Sequence, residues 1–149
     1  MHKLSKKNIK VGILGGTFDP PHIGHLHIST IALKKLRLNK LIWAVTKRNP
    51  LKKKPYLSIK TRIKLSKKIT NKKKKIFVNS FDDKIKSIST FDLLNHIKKK
   101  GKKAKLYFLI GADNLVKFHK WYNWKKIPKL AKIVIFARAN YSIRSINYL

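Results

Sequence analysis

The sequence predicts an α/β chain built on a doubly wound, mostly parallel five-stranded sheet with flanking helices. Three observations point there: five apolar runs of strand length, helical patterns between them, and a glycine-rich turn directly after the first run. The first strand is read at 11–14 (VGIL), followed by the turn GGTFDPPHIGH at 15–25. A helix is expected from Gly24 to Leu36, where Leu26, Ile28, Ile31, Leu33 and Leu36 form a broad apolar face. The second strand is LIWAV at 41–45. A helix from Ser58 to Ile69 follows, its face made of Ile59, Ile63, Leu65 and Ile69. The third strand is IFVNSF at 76–81. STFDLLNHIKKKG then opens with a capping-box spacing, Ser89 to Asp92, and closes on Gly101. The fourth strand, LYFLI at 106–110, leads into Gly111 and Asp113, with Asp113 expected to cap a short helix bearing Leu115, Val116 and Phe118. The fifth strand is IVIFA at 133–137.

These runs are continuous rather than alternating, as in strands buried on both faces. Ligands of such sheets bind beyond the carboxyl ends of the strands, where the strand order reverses. The loops after the first, second and fourth strands (GGTFDPPHIGH, TKRNPLKKK and GADN) are therefore expected to converge on the site.

The 149 residues are expected to form one domain, 1–149, and contain no cysteine, which excludes disulfides and thiolate metal sites. No segment is long and apolar enough to cross a bilayer, and no leader is recognisable, so a cytoplasmic location is expected. The net charge of +33 comes almost wholly from lysine, in a chain rich in Ile and Asn and without glutamate. That pattern reads as compositional drift toward A/T-rich codons, with lysine-rich stretches at 52–54, 72–75 and 98–103 on solvated loops and helix ends. A nucleic-acid partner is not expected, because basic stretches interleaved with aromatics are lacking. With five carboxylates, all aspartates, paired-acid chemistry has little material.

The turn at 15–25 carries the chemistry. Gly15 and Gly16 allow a sharp turn and let a phosphate approach backbone N–H groups, and Thr17 adds a hydroxyl. Pro20 and Pro21 fix the chain before a helix whose N-terminus favours an anion. His22 and His25 share one face of the first turn and can donate hydrogen bonds to phosphate oxygens as charge builds in a transition state. Gly24 leaves room beside His25. His27 would diverge from His25, so a metal cluster is not expected.

This string resembles the signature of the nucleotidyltransferase superfamily that carries a His-x-Gly-His motif. Its Gly-Gly-Thr-Phe-Asp-Pro-x-His form is most similar to the bacterial nicotinate-nucleotide adenylyltransferase family. NPLK at 49–52, STFDLL at 89–94, LIGADNLVKFHKWYNWKKI at 109–127 and FAR at 136–138 extend the likeness over about 11–141.

The resemblance implies a Rossmann-like fold and adenylyl transfer from ATP to nicotinate mononucleotide, giving nicotinate adenine dinucleotide and pyrophosphate, with Mg²⁺ accompanying ATP. It implies that His22 and His25 are catalytic and that Gly15, Gly16, Thr17, Phe18, Gly24, Gly111 and Asp113 bind ATP. Trp121 would stack on the pyridine ring, with Thr90 and Tyr122 near its carboxylate; Asn49, Lys52 and Arg138 complete the substrate set. Trp121 as plain core and Asp113 as a plain cap remain alternatives. The family also carries a later Ser-(Ser/Thr)-Thr-x-x-Arg segment that binds ATP phosphates, of which Ser142 and Arg144 give only an echo. The resemblance therefore implies a domain lacking that segment, with ATP binding weakened. A pantetheine-phosphate adenylyltransferase, a non-catalytic remnant and a basic RNA-binding protein are the competing readings.

Overall fold

A computed structural model describes residues 8–137 and the backbone of 143–145. Five parallel strands form the sheet: β1 (Lys10–Gly16), β2 (Lys40–Val45), β3 (Ile76–Asn79), β4 (Lys105–Gly111) and β5 (Lys132–Phe136). A short sixth strand, β6 (Ile143–Ser145), adds an antiparallel edge beside β5 that the apolar pattern did not announce. The order is β3-β2-β1-β4-β5-β6, so the chain reverses direction across the sheet between β1 and β4.

The helices are α1 (Ile23–Lys35), α2 (Ile59–Thr70), α3 (Asp82–Ile85), α4 (Thr90–Lys100), α5 (Ala112–Leu115) and α6 (Ile127–Leu130). They cover both faces. Leu14, Trp43, Leu109 and Val134 pack on one side with Ile28 and Ala32 of α1, flanked by Ile59, Ile63 and Ile69 of α2. Ile13, Phe108, Ile110 and Ile133 pack on the other with Leu94 of α4 and Ile127 of α6. Strands β1, β2, β4 and β5 are buried through their apolar runs, as expected.

Several local readings are corrected. β3 alternates buried and exposed residues and ends at Asn79, because it is an edge strand with one helical neighbour; Phe77 is half exposed. In α2 the innermost stripe is polar: Arg62, Ser66 and Thr70 are buried, while the isoleucines flank them. Ser66 and Thr70 donate their hydroxyls to the carbonyls of Arg62 and Ser66, one turn back, so neither enters the interior unsatisfied. Asp113 does not cap α5; the N-cap is Gly111, and Asp113 stands inside the first turn. Val116 and Phe118 lie beyond α5, with Phe118 opening a 3₁₀ turn. In α4, Ser89 accepts the Asp92 N–H as the capping box requires. The return arm runs through Ser87, which accepts the Ser89 N–H and donates to Asp92 Oδ2.

Candidate active site

At the carboxyl edge, Gly15 and Gly16 still pair in register with Ala44 and Val45, and the Thr46 N–H donates to the Gly16 carbonyl. The loops after β1 and β2 therefore leave the sheet side by side. The two glycines remain extended: no glycine among the described residues has positive φ. The left-handed residue of the turn is Phe18, at φ 51°. This corrects the sequence reading, in which the glycines made the turn. They contribute space instead, since a Cβ at Gly15 would find only Phe108 at 3.6 Å. The Phe18 backbone costs roughly 1–3 kcal/mol. Its ring offsets this by burial and by stacking on Trp43, with centroids 4.9 Å apart.

α1 begins on a cap made by two histidines. His22 is the N-cap; its Nδ1 accepts the Gly24 N–H at 3.1 Å, and its own N–H donates to His25 Nδ1 at 3.0 Å. The rings lie 3.8 Å apart. Because both Nδ1 atoms accept, each neutral ring carries its proton on Nε2. The cap thus fixes a tautomer with an Nε2–H donor, the form that can meet a phosphate oxygen. His25 rests against Phe18 (4.7 Å) and Trp43 (5.8 Å). Below it, the buried Trp43 indole donates to Ser29 Oγ, and Ser29 donates to the His25 carbonyl, both at 2.8 Å.

A cleft of about 560 Å³ opens on the other side of the glycine pair. Gly15, Gly16 and Thr17 form part of its wall, and Thr46, Arg48, Asn49 and Lys52 come from the loop after β2. Ser87, Ser89, Thr90 and Asp92 bring the N-terminus of α4, and Trp121 and Tyr122 close the far side. Trp121 is half-buried, its ring edge-to-face with Phe108 (6.1 Å) and Phe118 (5.4 Å). It is both packed and part of the cleft wall, so the two sequence alternatives are compatible. Tyr122 is largely exposed and meets Phe91 at 5.9 Å.

Of the residues singled out in the sequence, Gly15, Gly16, Thr17, Asn49, Lys52, Thr90, Trp121 and Tyr122 are thus brought together. His22, His25 and Gly24 stand at the start of α1, beyond the glycine pair. Phe18 is buried beneath His25, so its side chain supports the histidines. Gly111 is buried at the end of β4, where an added Cβ would come within 2.6 Å of Asp113 Oδ1. Arg138 and Ser142 lie outside the described residues, and Arg144 is described only as backbone of β6.

Residues that the sequence did not single out brace the loops. Asp19 accepts the N–H groups of Tyr56 (2.7 Å) and Leu57 (2.9 Å), tying the β1 loop to the approach to α2. Those two bonds, Leu57 foremost, hold the Asp19 carboxyl below its ordinary value, and Arg62 adds to the effect. Asp82 accepts from Thr46 Oγ1 (2.9 Å) and the Lys47 N–H (2.7 Å). Asp83 pairs with the Lys47 ammonium, whose pKa it raises. Arg62, 2% exposed, donates to the carbonyls of Thr17, Thr46, Lys47 and Leu57 at 2.7–3.0 Å. Burial lowers its pKa, against the pull of Asp19 and Asp82. Asp19, Asp82, Asp83 and Asp92 all brace segments around the cleft. Among the described residues no cluster of three or more His, Asp or Glu could hold a metal ion, and no helix could cross a membrane.

Residues 13–148 match the cytidylyltransferase-like family. The chain is 47% identical over 150 residues to a "Probable nicotinate-nucleotide adenylyltransferase" of Pelagibacter ubique (strain HTCC1062), a match covering 99% of this chain and 83% of that one. A protein of the same name from Ruegeria sp. (strain TM1040) is 38% identical over 128 residues, covering 86% of this chain and 67% of that one. The fold is shared with Plasmodium falciparum nicotinic acid mononucleotide adenylyltransferase complexed with NaAD. There the TM-score is 0.73 at 20% identity, over 92% of this chain and 68% of that one. Glycine pair, histidine cap and tryptophan-walled cleft thus stand in a chain that, by its likeness to these relatives, belongs to the nicotinate-nucleotide adenylyltransferase family.

Proposed function

We propose that this chain performs its family's reaction, adenylyl transfer to nicotinate mononucleotide in NAD biosynthesis, with the mononucleotide in the cleft and the ATP phosphates across the glycine pair. A phosphate oxygen of the mononucleotide attacks the α-phosphorus of ATP, and the bond from that phosphorus to the β-phosphate bridging oxygen breaks. Nicotinate adenine dinucleotide forms and pyrophosphate leaves. The observation that carries the reading is the continuity of Gly15–Thr17, which border the cleft on one side and lead to the His22–His25 cap on the other.

Both reactants are anions, so the chemistry needs alignment and charge stabilisation rather than a nucleophilic side chain. The Nε2–H groups of His22 and His25 donate to the triphosphate as negative charge develops on it. Gly15 and Gly16 keep the wall clear for close approach of phosphate. Trp121 stacks on the pyridine ring, and the N-terminus of α4 at Thr90, with Tyr122, receives its carboxylate. Asn49 and Lys52 complete the mononucleotide side, and Gly111 and Asp113 the adenosine side. The described residues form no metal cage, and the carboxylates near the cleft are engaged in bracing loops. We therefore take the divalent ion, Mg²⁺, to arrive on ATP as part of the substrate. A cytoplasmic location accords with this chemistry.

The test is a coupled assay of pyrophosphate release from Mg²⁺-ATP with nicotinate mononucleotide, its amide or phosphopantetheine. Formation of nicotinate adenine dinucleotide, faster than the amide product, is the expected result. Turnover only with phosphopantetheine, or with none of the three, would overturn the assignment.

A further inference from the structure

Arg62 is the one charged side chain in the buried core among the described residues. Its guanidinium donates to four backbone carbonyls: Nη1 to Thr17 and Thr46 at 2.7 Å each, Nη2 to Lys47 and Nε to Leu57 at 3.0 Å each. Interior stability alone does not call for such a residue, because apolar side chains of similar volume commonly fill an interior at least as well as buried ionic groups. What distinguishes Arg62 is where its four acceptors lie. Thr17 directly follows the glycine pair, and Thr46 and Lys47 begin the loop that reaches Asn49 and Lys52. Leu57 stands in the segment that Asp19 draws toward the β1 loop.

One planar fork therefore sets the spacing between the loop assigned to the ATP phosphates and the loop assigned to the mononucleotide. Asp82, itself part of the cleft wall, grips the same second loop through Thr46 Oγ1 and the Lys47 N–H. The carbonyls that Arg62 holds accept from a buried guanidinium. Only an arginine can do this, since a lysine ammonium is a compact point charge that lacks a rigid fork.

We propose that Arg62 is a positioning residue that holds the two nucleotide half-sites in register with each other, acting through Thr17 and Thr46–Lys47. The proposal rests on the adenylyl-transfer reading above. A ligand that touches one half-site has little use for that register. A ligand that spans both depends on it, as does the transfer step, where reacting atoms must stand within bonding approach.

The test compares wild type with Arg62→Lys in titrations of Mg²⁺-ATP alone, nicotinate mononucleotide alone and nicotinate adenine dinucleotide. Irreversibly unfolded molecules lower only the stoichiometry, and reversible unfolding weakens all three ligands by one common factor, so the ratio of dinucleotide to single-nucleotide affinity carries the comparison. Each mononucleotide should bind within about threefold of wild type, while the dinucleotide weakens by about tenfold or more and kcat falls at least as far. Asp82→Ala, which loosens the same loop at the cleft wall, should show the same pattern in smaller degree. Equal weakening of all three ligands in Arg62→Lys, or none, would reduce Arg62 to a structural residue and overturn the proposal. A wild-type protein that binds no dinucleotide would instead overturn the reading on which it rests.

Discussion

His22 and His25 cap one another: the His22 N–H donates to His25 Nδ1 at 3.0 Å, and the rings stand 3.8 Å apart. His22 serves the helix through Nδ1 and the backbone, while the proposed function assigns its Nε2 to the phosphate. The two duties separate in His22→Asn, because asparagine is among the best N-caps and has no Nε2–H. The variant should keep its melting temperature within a few degrees. Its turnover should fall by about 10²–10³, as for loss of one charge-stabilising donor. Near-normal turnover with the fold intact would remove His22 from the chemistry.

Asp19 gives a pH dependence of defined sign. Its folded-state pKa is held below the ordinary aspartate value by its bonds to Leu57 and Tyr56, so those bonds stabilise the native state fully above that ordinary value. This contribution fades as pH falls through the lowered pKa. Asp19→Asn should have a lower denaturation midpoint than wild type at pH 7, and the gap should close progressively in acid below the ordinary carboxylate range. A gap that widened in acid would contradict the assignment.

Trp121 is edge-packed on Phe108 and Phe118 and also borders the cleft. If its face receives the pyridine ring, Trp121→Ala should weaken nicotinate mononucleotide by about tenfold, within the ~1–3 kcal/mol typical of base–aromatic stacking. Mg²⁺-ATP should bind nearly as before in the same titration. Equal losses for both ligands would assign Trp121 to packing alone.

Gly111→Ala places a methyl group 2.6 Å from Asp113 Oδ1 and 3.5 Å from the Phe136 ring. The Asp113 carboxylate must then shift from its place. ATP affinity should fall by about fivefold, corresponding to ~1 kcal/mol, if Asp113 meets the adenosine. Unchanged ATP binding would separate Gly111 and Asp113 from the nucleotide.

Strands β1, β2, β4 and β5 were legible because a sheet covered on both faces writes itself as unbroken apolar runs, and the turn after β1 because its residue types are rare together. α2 was misread at its centre. Burial there falls on Arg62, Ser66 and Thr70, whose polarity argues for solvent until their partners are known. The register of two loops is a long-range property, and no local pattern around Arg62 or Asp82 reports it. The histidine cap was half visible: the i, i+3 spacing placed both rings together, but histidine is not among the usual cap residues, so its helix duty was hidden. The sharp turn reads as the work of the glycines, because nothing local marks Phe18 as the left-handed residue; its burial and its stacking on Trp43, a neighbour from another strand, are long-range.

The cleft and the histidine cap share only the short run Gly15–Thr17 as common ground. On the proposed placement of the two substrates, an inhibitor small enough to fill the cleft would compete with the pyridine mononucleotide yet leave ATP free to bind. A compound that blocks both would then have to cross the glycine pair and reach the imidazoles. Double-reciprocal plots against each substrate would tell which kind of molecule a screen had found.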